Sequence, residues 1–420
     1  MNYRLKNQAV DAPDKGTLQV DVTSALNNFP ISGATVAISY TGEPDSTIEQ
    51  VTTDSSGQTE NLELATPPLE YSLQPSETMP YAEYTLQVSA PGFETQVVSG
   101  TEVLPGVIAI QPVRLIPLED RENPQPIVIP DHTLYGIYPA KMPEAEIKPV
   151  GETGEIVLSR VVVPETVIVH DGVPTDTTAQ NYYVPYRDYI KNVASSEIYA
   201  TWPESSITAN VLAIMSFTLN RVYTEWYRNK GYDFTITSST AFDHKWIFGR
   251  NVFSEISVIV DDVFANYLSR PDVKQPILTQ YCDGRRVQCP NWMSQWGSSD
   301  LGAQGYSPIE ILRYYYGDDM YINTAEQVAG IPSSWPGYDL DIGASGDKVR
   351  QLQEQLNTVA SVYSAIPSLV VDGIYGQNTK DAVREFQNVF GLPQTGVTDY
   401  RTWYKVSQIF VGITRIAELD

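Results

Sequence analysis

YIKNVASSEIYATWPESSITANVLAIMSFTLNRV, running from Tyr189 to Val222, is the stretch on which the reading of the whole chain turns. Ile190, Val193, Ala194, Glu197 and Ile198 recur at helical spacing, so a helix here carries Glu197 on the same stripe as its inward-facing apolar residues. YATWP breaks the pattern, and Pro203 suits the first turn of a new helix, where no N–H is needed. Ile207, Val211, Ile214, Met215, Thr218, Val222 and Trp226 then predict a long second helix with a broad apolar face. The expected unit is a helix–turn–helix with one acid beside the turn. Desolvation disfavours the charged form of a carboxyl, which makes Glu197 a candidate proton donor near neutral pH. Taken alone, a glutamate on a helix is more simply solvated or salt-bridged.

Composition limits what surrounds this stretch. With 420 residues the chain is too long for one ordinary core, and several domains are expected. A net charge of −24 argues against a nucleic-acid partner, which needs a basic surface, and against tight adhesion to anionic lipid. No apolar run reaches the length of a membrane span, and MNYRLKNQAVDAPDKG lacks the apolar core of a signal peptide, so neither a span nor standard secretion is expected. Cys282 and Cys289 are separated by DGRRVQ and read as a disulfide, as two thiols, or as half of a metal site. Of His132, His170 and His244, the last is best placed to join them. Nearby sequence offers no further ligands, so neither a metal nor another cofactor is expected.

Taken in order, TLQVDV, ATVAISY, YTLQVSA and VIAIQPVRLI read as strands, with SSG, PSET and APG as turns, giving a small antiparallel β-sandwich over residues 1–117. Residues 118–160 are rich in proline and glutamate. Frequent prolines forbid a continuous helix and favour extended, accessible backbone, the state a protease requires; an ordinary linker has the same composition. From Val161, VVVPETVIVHDG reads as a strand entering an α+β domain over 161–325. Within it, Glu255 to Leu268 predicts a short helix, and Ser307-Pro308 starts another whose inner face is Ile309, Leu312 and Tyr316.

Several blocks resemble known families. GTLQVDV…FPISGATVAI…TTDSSGQT…YTLQVSAPGFET, with Pro30, Gly33, Ala34, Val36, Thr53, Asp54, Gly57, Pro91 and Gly92 in place, resembles the non-catalytic sandwich found beside carboxypeptidases. NVASSEIYATWPESSITANVLAIMSF and MSQWGSSDLGAQGYSPIEILRYYYG, in that order, resemble the SpoIID-type lytic transglycosylases. That resemblance implies that Glu197 is the catalytic glutamate. It places Ser294, Gln295 and Gly297 in a closing motif that lines the same groove, and Ser239, Thr240 and Asp243 in a middle motif. Tyr199, Trp202, Trp292 and Trp296 suit the floor of a glycan groove, and suit core packing equally. Met215 stands where the family usually has arginine, and Cys289-Pro290-Asn291-Trp292 stands where it has Gly-His-Gly, which counts against the zinc site of some relatives.

The tail over 338–420, DLDIGASGDKVRQLQEQLNTV…LVVDGIYGQNTKDAVREFQNVFGLPQTGVTDYRTW, resembles a three-helix peptidoglycan-binding domain. The order of the four segments resembles the clostridial spore cortex-lytic enzymes. This implies a zymogen of the spore, activated by a subtilisin-like Csp protease, with spore cortex peptidoglycan as substrate. The cut is expected near Arg160 and Val161, where the connector gives way to a strand. An acid/base that uses the sugar's own hydroxyl needs one carboxyl, whereas an ordinary glycosidase needs two. Glu204 and Asp243 are the nearest second carboxylates, and Glu204 is more simply a favourable anion in a helix's first turn. A hydrolytic muramidase and a non-catalytic wall-binding scaffold remain as alternatives.

Overall fold

The computed structural model describes residues 14–120, 124–148, 158–330 and 335–414. Part of the expected connector and both ends of the expected domain ranges lie outside the described residues. The chain is a multidomain, mixed α/β protein with several sheets and a C-terminal helical domain.

The first unit contains β1 (Asp14–Ser24), β2 (Thr35–Tyr40), β3 (Thr47–Thr52) and β4 (Leu62–Thr66), the short helix α1 (Glu70–Leu73), then β5 (Ala82–Ser89), β6 (Gln96–Val103) and β7 (Ile108–Leu115). Leu18, Val20 and Val22 on β1, Val36 and Ile38 on β2, and Tyr84, Leu86 and Val88 on β5 are buried at alternate positions, the period that turns one face of a strand inward. These strands form two packed sheets that are not wholly antiparallel: β1 pairs antiparallel with β4 but parallel with β7, from Thr17↔Ile108 to Ser24↔Leu115. The first and last strands are joined through all the others, so no hairpin dictates their direction.

The next segment is a strap across the second unit. It begins as β8 (Ile127–Val128), which pairs parallel with Val98 and Ser99 of β6. Gly100 has φ +85°, and a Cβ there would lie 2.4 Å from the Ile129 carbonyl oxygen; a Cβ on Gly249 would lie 2.8 Å from the Ile127 side chain. Glycine at these two positions lets the strap pass. Farther along, Thr133 N–H donates to Ser196 O (3.2 Å), Met142 N–H to Ala241 O (2.7 Å) and Lys148 N–H to Gln275 Oε1 (2.7 Å). Prolines keep the segment extended, and over 124–148 it is docked at some residues while others stay exposed. Ile129, His132, Thr133, Leu134 and Lys148 are buried because their donors and apolar groups find partners on the neighbouring units; Ile137 and Met142 face solvent.

The second unit comprises β9 (Val162–Val163), β10 (Thr166–His170), β11 (Asn181–Pro185), α2 (Tyr186–Glu197), α3 (Glu204–Tyr223), β12 (Ile236–Thr237), β13 (Val252–Phe253), α4 (Ser254–Val263), α5 (Gln295–Ala303) and α6 (Pro308–Tyr316), with further short strands between them. Helix α3 is buried along nearly its whole length and is the hub on which α2, α4, α5 and α6 pack. Pro203 stands just ahead of α3 with φ −54°, one position earlier than its expected place inside the first turn. Ser307 and Glu310 form a capping box that starts α6.

Two features fuse the first and second units. β13 extends the first unit's sheet by pairing antiparallel with β7, Val252 opposite Ile110 and Phe253 opposite Ala109. Arg250 Nη2 lies 2.9 Å from Glu102 Oε2, with neither side chain exposed. The C-terminal unit has α7 (Asp347–Ala360), α8 (Gln377–Val389) and α9 (Tyr400–Thr414) around Leu352, Leu356, Phe386 and Trp403. It docks through Arg187 Nη2 to Tyr404 O (3.0 Å), Arg401 to Asp262 (2.8 Å) and Gln58 Nε2 to Val389 O (2.9 Å). Among the described residues no helix is long and apolar enough to cross a membrane.

Candidate active site

Glu197 is the last residue of α2 because Ile198 leaves the helix with extended backbone while its N–H still bonds to Ala194 O (3.0 Å). The carboxyl is buried. Its Oε1 accepts the Lys245 backbone N–H, whereas Oε2 lacks a partner at full hydrogen-bond geometry. Burial pushes its pKa up, against the attraction of Lys141 and the Lys245 N–H. The negative end of the α2 dipole acts in the same direction as burial. These are the conditions in which a carboxylic acid keeps its proton and can donate it.

A cavity of about 20 Å³ adjoins the acid, lined by Thr133, Tyr138, Pro139, Lys141, Glu197, Thr240, Tyr281, Cys282, Val287 and Gln295. That is room for about one water molecule and far too little for a sugar. Thr133 Oγ1, Tyr138 OH and Tyr281 OH also lack a partner at full geometry, so four underused polar atoms border one small space. Four of the lining residues belong to the strap. Lys141 Nζ donates to Asp243 O (2.6 Å) and sits 4.4 Å from the Tyr281 ring centroid and 5.0 Å from that of Phe217. Burial lowers its pKa, and the Glu197 charge opposes that shift.

The sequence-derived residues divide by position. Glu197, Thr240 and Gln295 line the cavity, and Gln295 Nε2 donates to Glu197 O (3.1 Å). Ser239 is half-buried one residue away. Ser294 caps α5 by accepting the Gly297 N–H (2.9 Å). Tyr199, Trp202 and Trp296 form a buried aromatic cluster, Trp202 and Trp296 with centroids 5.0 Å apart, and the His132 ring of the strap lies 4.6 Å from Tyr199. Trp202 Nε1 donates to Ser72 O of α1 (3.0 Å), which ties this cluster to the first unit. Trp292 is half-buried and does not line the cavity.

The Asp243 side chain is fully buried, and Asp243 is not among the residues lining the cavity. Its Oδ1 accepts Arg221 Nε (2.7 Å), and its Oδ2 accepts Tyr227 OH (2.6 Å) together with the N–H (2.9 Å) and hydroxyl (2.7 Å) of Thr237. Both oxygens are engaged, which makes it a structural keystone. Glu204 is exposed in the first turn of α3. Among the described residues no second Asp or Glu lines the cavity. Cys282 and Cys289 are joined in a disulfide, Cα to Cα 5.6 Å. No group of three or more His, Cys, Asp or Glu able to hold a metal occurs among the described residues.

Lys141, Phe217, Tyr281 and His244 were not singled out for this site from the sequence. His244 Nδ1 meets Tyr189 OH (3.0 Å), and its ring stacks on Tyr281 with centroids 5.8 Å apart. Arg221 alone carried a signal: a cation three residues after Thr218 falls on the buried stripe of α3 and must find a counter-charge.

Comparison with known proteins places one family match in the C-terminal unit. Residues 345–406 match the model of a family described as putative peptidoglycan binding domain. The zinc D-Ala-D-Ala carboxypeptidase of Streptomyces albus G is 38% identical over 76 residues, 18% of this chain and 28% of that enzyme. The chain therefore spans little more than a quarter of the length of this relative. Among solved structures, the SleB N-terminal domain is 31% identical with a TM-score of 0.17, covering 18% of this chain and 99% of that one. The 5-hydroxyisourate hydrolase of Klebsiella pneumoniae is 18% identical with a TM-score of 0.17, covering 24% and 90%. The similarity over residues 345–406 is to a peptidoglycan-binding module, and it is confined to the C-terminal helical unit.

Proposed function

We propose that the chain is the zymogen of a peptidoglycan lytic transglycosylase with Glu197 as its single acid/base. The observation that carries this reading is the buried Glu197 carboxyl, one oxygen underused, lining a cavity in a chain whose residues 345–406 match a peptidoglycan-binding family. Protonated Glu197 gives its proton to the oxygen of the MurNAc–GlcNAc bond as an oxocarbenium-like state develops. The resulting carboxylate takes the proton of the C6 hydroxyl of the same sugar, whose oxygen attacks C1. A 1,6-anhydro end forms and no water is consumed. The absence of a second cavity-lining carboxylate among the described residues supports this chemistry over hydrolysis.

The reading extends to regulation. The chain is similar in domain order to the clostridial spore cortex-lytic enzyme SleC, so the substrate is spore cortex, the place the spore, and the activator a subtilisin-like Csp protease. The strap supports latency, because Tyr138, Pro139 and Lys141 fill space beside the acid. Arg160 is exposed at the start of the second unit, whereas Val161 is buried and its carbonyl accepts the Glu326 N–H (3.1 Å), so a cut between them requires this short segment to open locally. Mass spectrometry of fragments released from cortex by protease-treated protein tests this. Anhydro ends support the transglycosylase, reducing ends indicate a muramidase, and no fragments a binding scaffold.

A further inference from the structure

The strap crosses the second unit between two walls, and both are hydrogen-bonded to it. One wall is the loop 239–243, where Ala241 O accepts Met142 N–H (2.7 Å) and Asp243 O accepts Lys141 Nζ (2.6 Å). The other carries Gln280, whose Nε2 donates to Met142 O (2.7 Å) and whose Oε1 accepts Glu144 N–H (2.9 Å). Among the described residues these two carbonyls and this amide find their partners on the strap alone. Between the walls the Lys141 ammonium lies near the Phe217 and Tyr281 rings, with Glu197 lining the same cavity.

Removing the strap would leave two carbonyl acceptors, one amide with both a donor and an acceptor, and aromatic surface around a buried acid. Unpaired polar groups of this kind are costly unless a ligand or water replaces the lost partner. A pyranose supplies the match: C–H groups for the rings, hydroxyls and an acetamido N–H for the carbonyls, and a carbonyl for the amide. Outside the cavity this segment is solvent-facing, with Ala140, Met142 and Pro143 exposed, so it covers the walls without being part of the core.

We propose that residues 138–142 occupy a saccharide subsite, Lys141 standing where an N-acetylated hexosamine packs against Tyr281 and bonds to Ala241 O, Asp243 O and Gln280. This deepens the glycan-cleaving reading of Glu197 and rests on it. The strap is then a stand-in for substrate, and its removal presents a subsite already shaped.

The test uses the full chain with the strap loosened by Lys141→Ser, or by Tyr138→Ser should the first variant lose its thermal transition. Tri-N-acetylchitotriose is added and peptide-resolved hydrogen exchange is followed over 239–245 and 278–283, which separates this site from sugar bound by the C-terminal unit. The expected result is protection of both walls in the loosened variants and none in the parent chain. A synthetic peptide IYPAKMPE, residues 137–144, should abolish that protection, and its counterpart with methionine for Lys141 should be weaker by about tenfold. Protection confined to the C-terminal unit, or wall protection that the peptide leaves intact, would overturn the subsite. Wall protection by the sugar, with no anhydro ends released from cortex by the protease-treated protein, would keep the subsite and remove the transglycosylase reading.

Discussion

Arg221 on α3 and Asp243 meet with Nε 2.7 Å from Oδ1, and neither side chain is exposed. The same guanidinium holds Glu144 of the strap through two bonds, at 3.0 and 2.6 Å. One buried cation therefore ties the loop beside the cavity to the segment that covers it. Asp243→Ala removes half of its neutralisation and should cost about 3–5 kcal/mol in denaturant unfolding. A variant that loses activity with undiminished stability would return Asp243 to the groove.

Glu197→Gln should leave the unfolding free energy within about 1 kcal/mol of the parent, since the amide is nearly isosteric with the carboxyl and its oxygen can still accept the Lys245 N–H. Activity of the protease-treated protein on cortex should fall by about 10²–10⁴-fold. Because the acid must be protonated to act, the parent's rate should decline as pH rises through the elevated pKa. A rate that climbs through neutral pH would remove Glu197 from the role of proton donor.

Glu102 makes stability depend on pH. Burial outweighs the attraction of Arg250 and pushes its pKa up to about 7 from 4.5. The folded state then holds this proton more tightly than the unfolded chain does, so the contribution is full below the unfolded pKa and lost as pH rises through 7. Glu102→Gln should match the parent at acid pH and exceed it above neutrality by on the order of 1–3 kcal/mol. Equal stability of the two proteins in thermal melts across that range would show that Glu102 is ionised throughout.

The disulfide closes a short loop that contributes Cys282 and Val287 to the cavity wall. Replacing both cysteines by serine should lower stability by about 2–3 kcal/mol, the loss expected from freeing a loop of this length. Chelators should leave the parent's melting unchanged, and a shift on chelation would point to a metal.

The helix pair was legible because its signal is local: apolar residues at a period of 3.6 mark which face turns inward, and Glu197 lies on that face in the structure as in the pattern. Strand alternation marked β1, β2, β5 and β7 for the same reason. The strap was not legible as a cover. Proline content predicts extended backbone, but its docking depends on carbonyls such as Ser196 O and Ala241 O, which leave no trace in side-chain type. The roles of Lys141 and Tyr281 were hidden likewise, being set by a crossing between segments 140 residues apart, the difference of their numbers. Asp243 was placed beside the acid by motif resemblance, which conveys proximity in a loop but not that Arg221, Tyr227 and Thr237 would engage both its oxygens.

The ladder between β13 and β7 has a consequence for cutting the chain at Arg160–Val161. Phe253 would still pair with Ala109 across the break, so the two fragments would remain adjoining strands of one sheet. Departure of the N-terminal fragment is then a matter of peeling a strand, with a lifetime set by local unfolding. Dilution would set how much fragment is finally released, but not how fast.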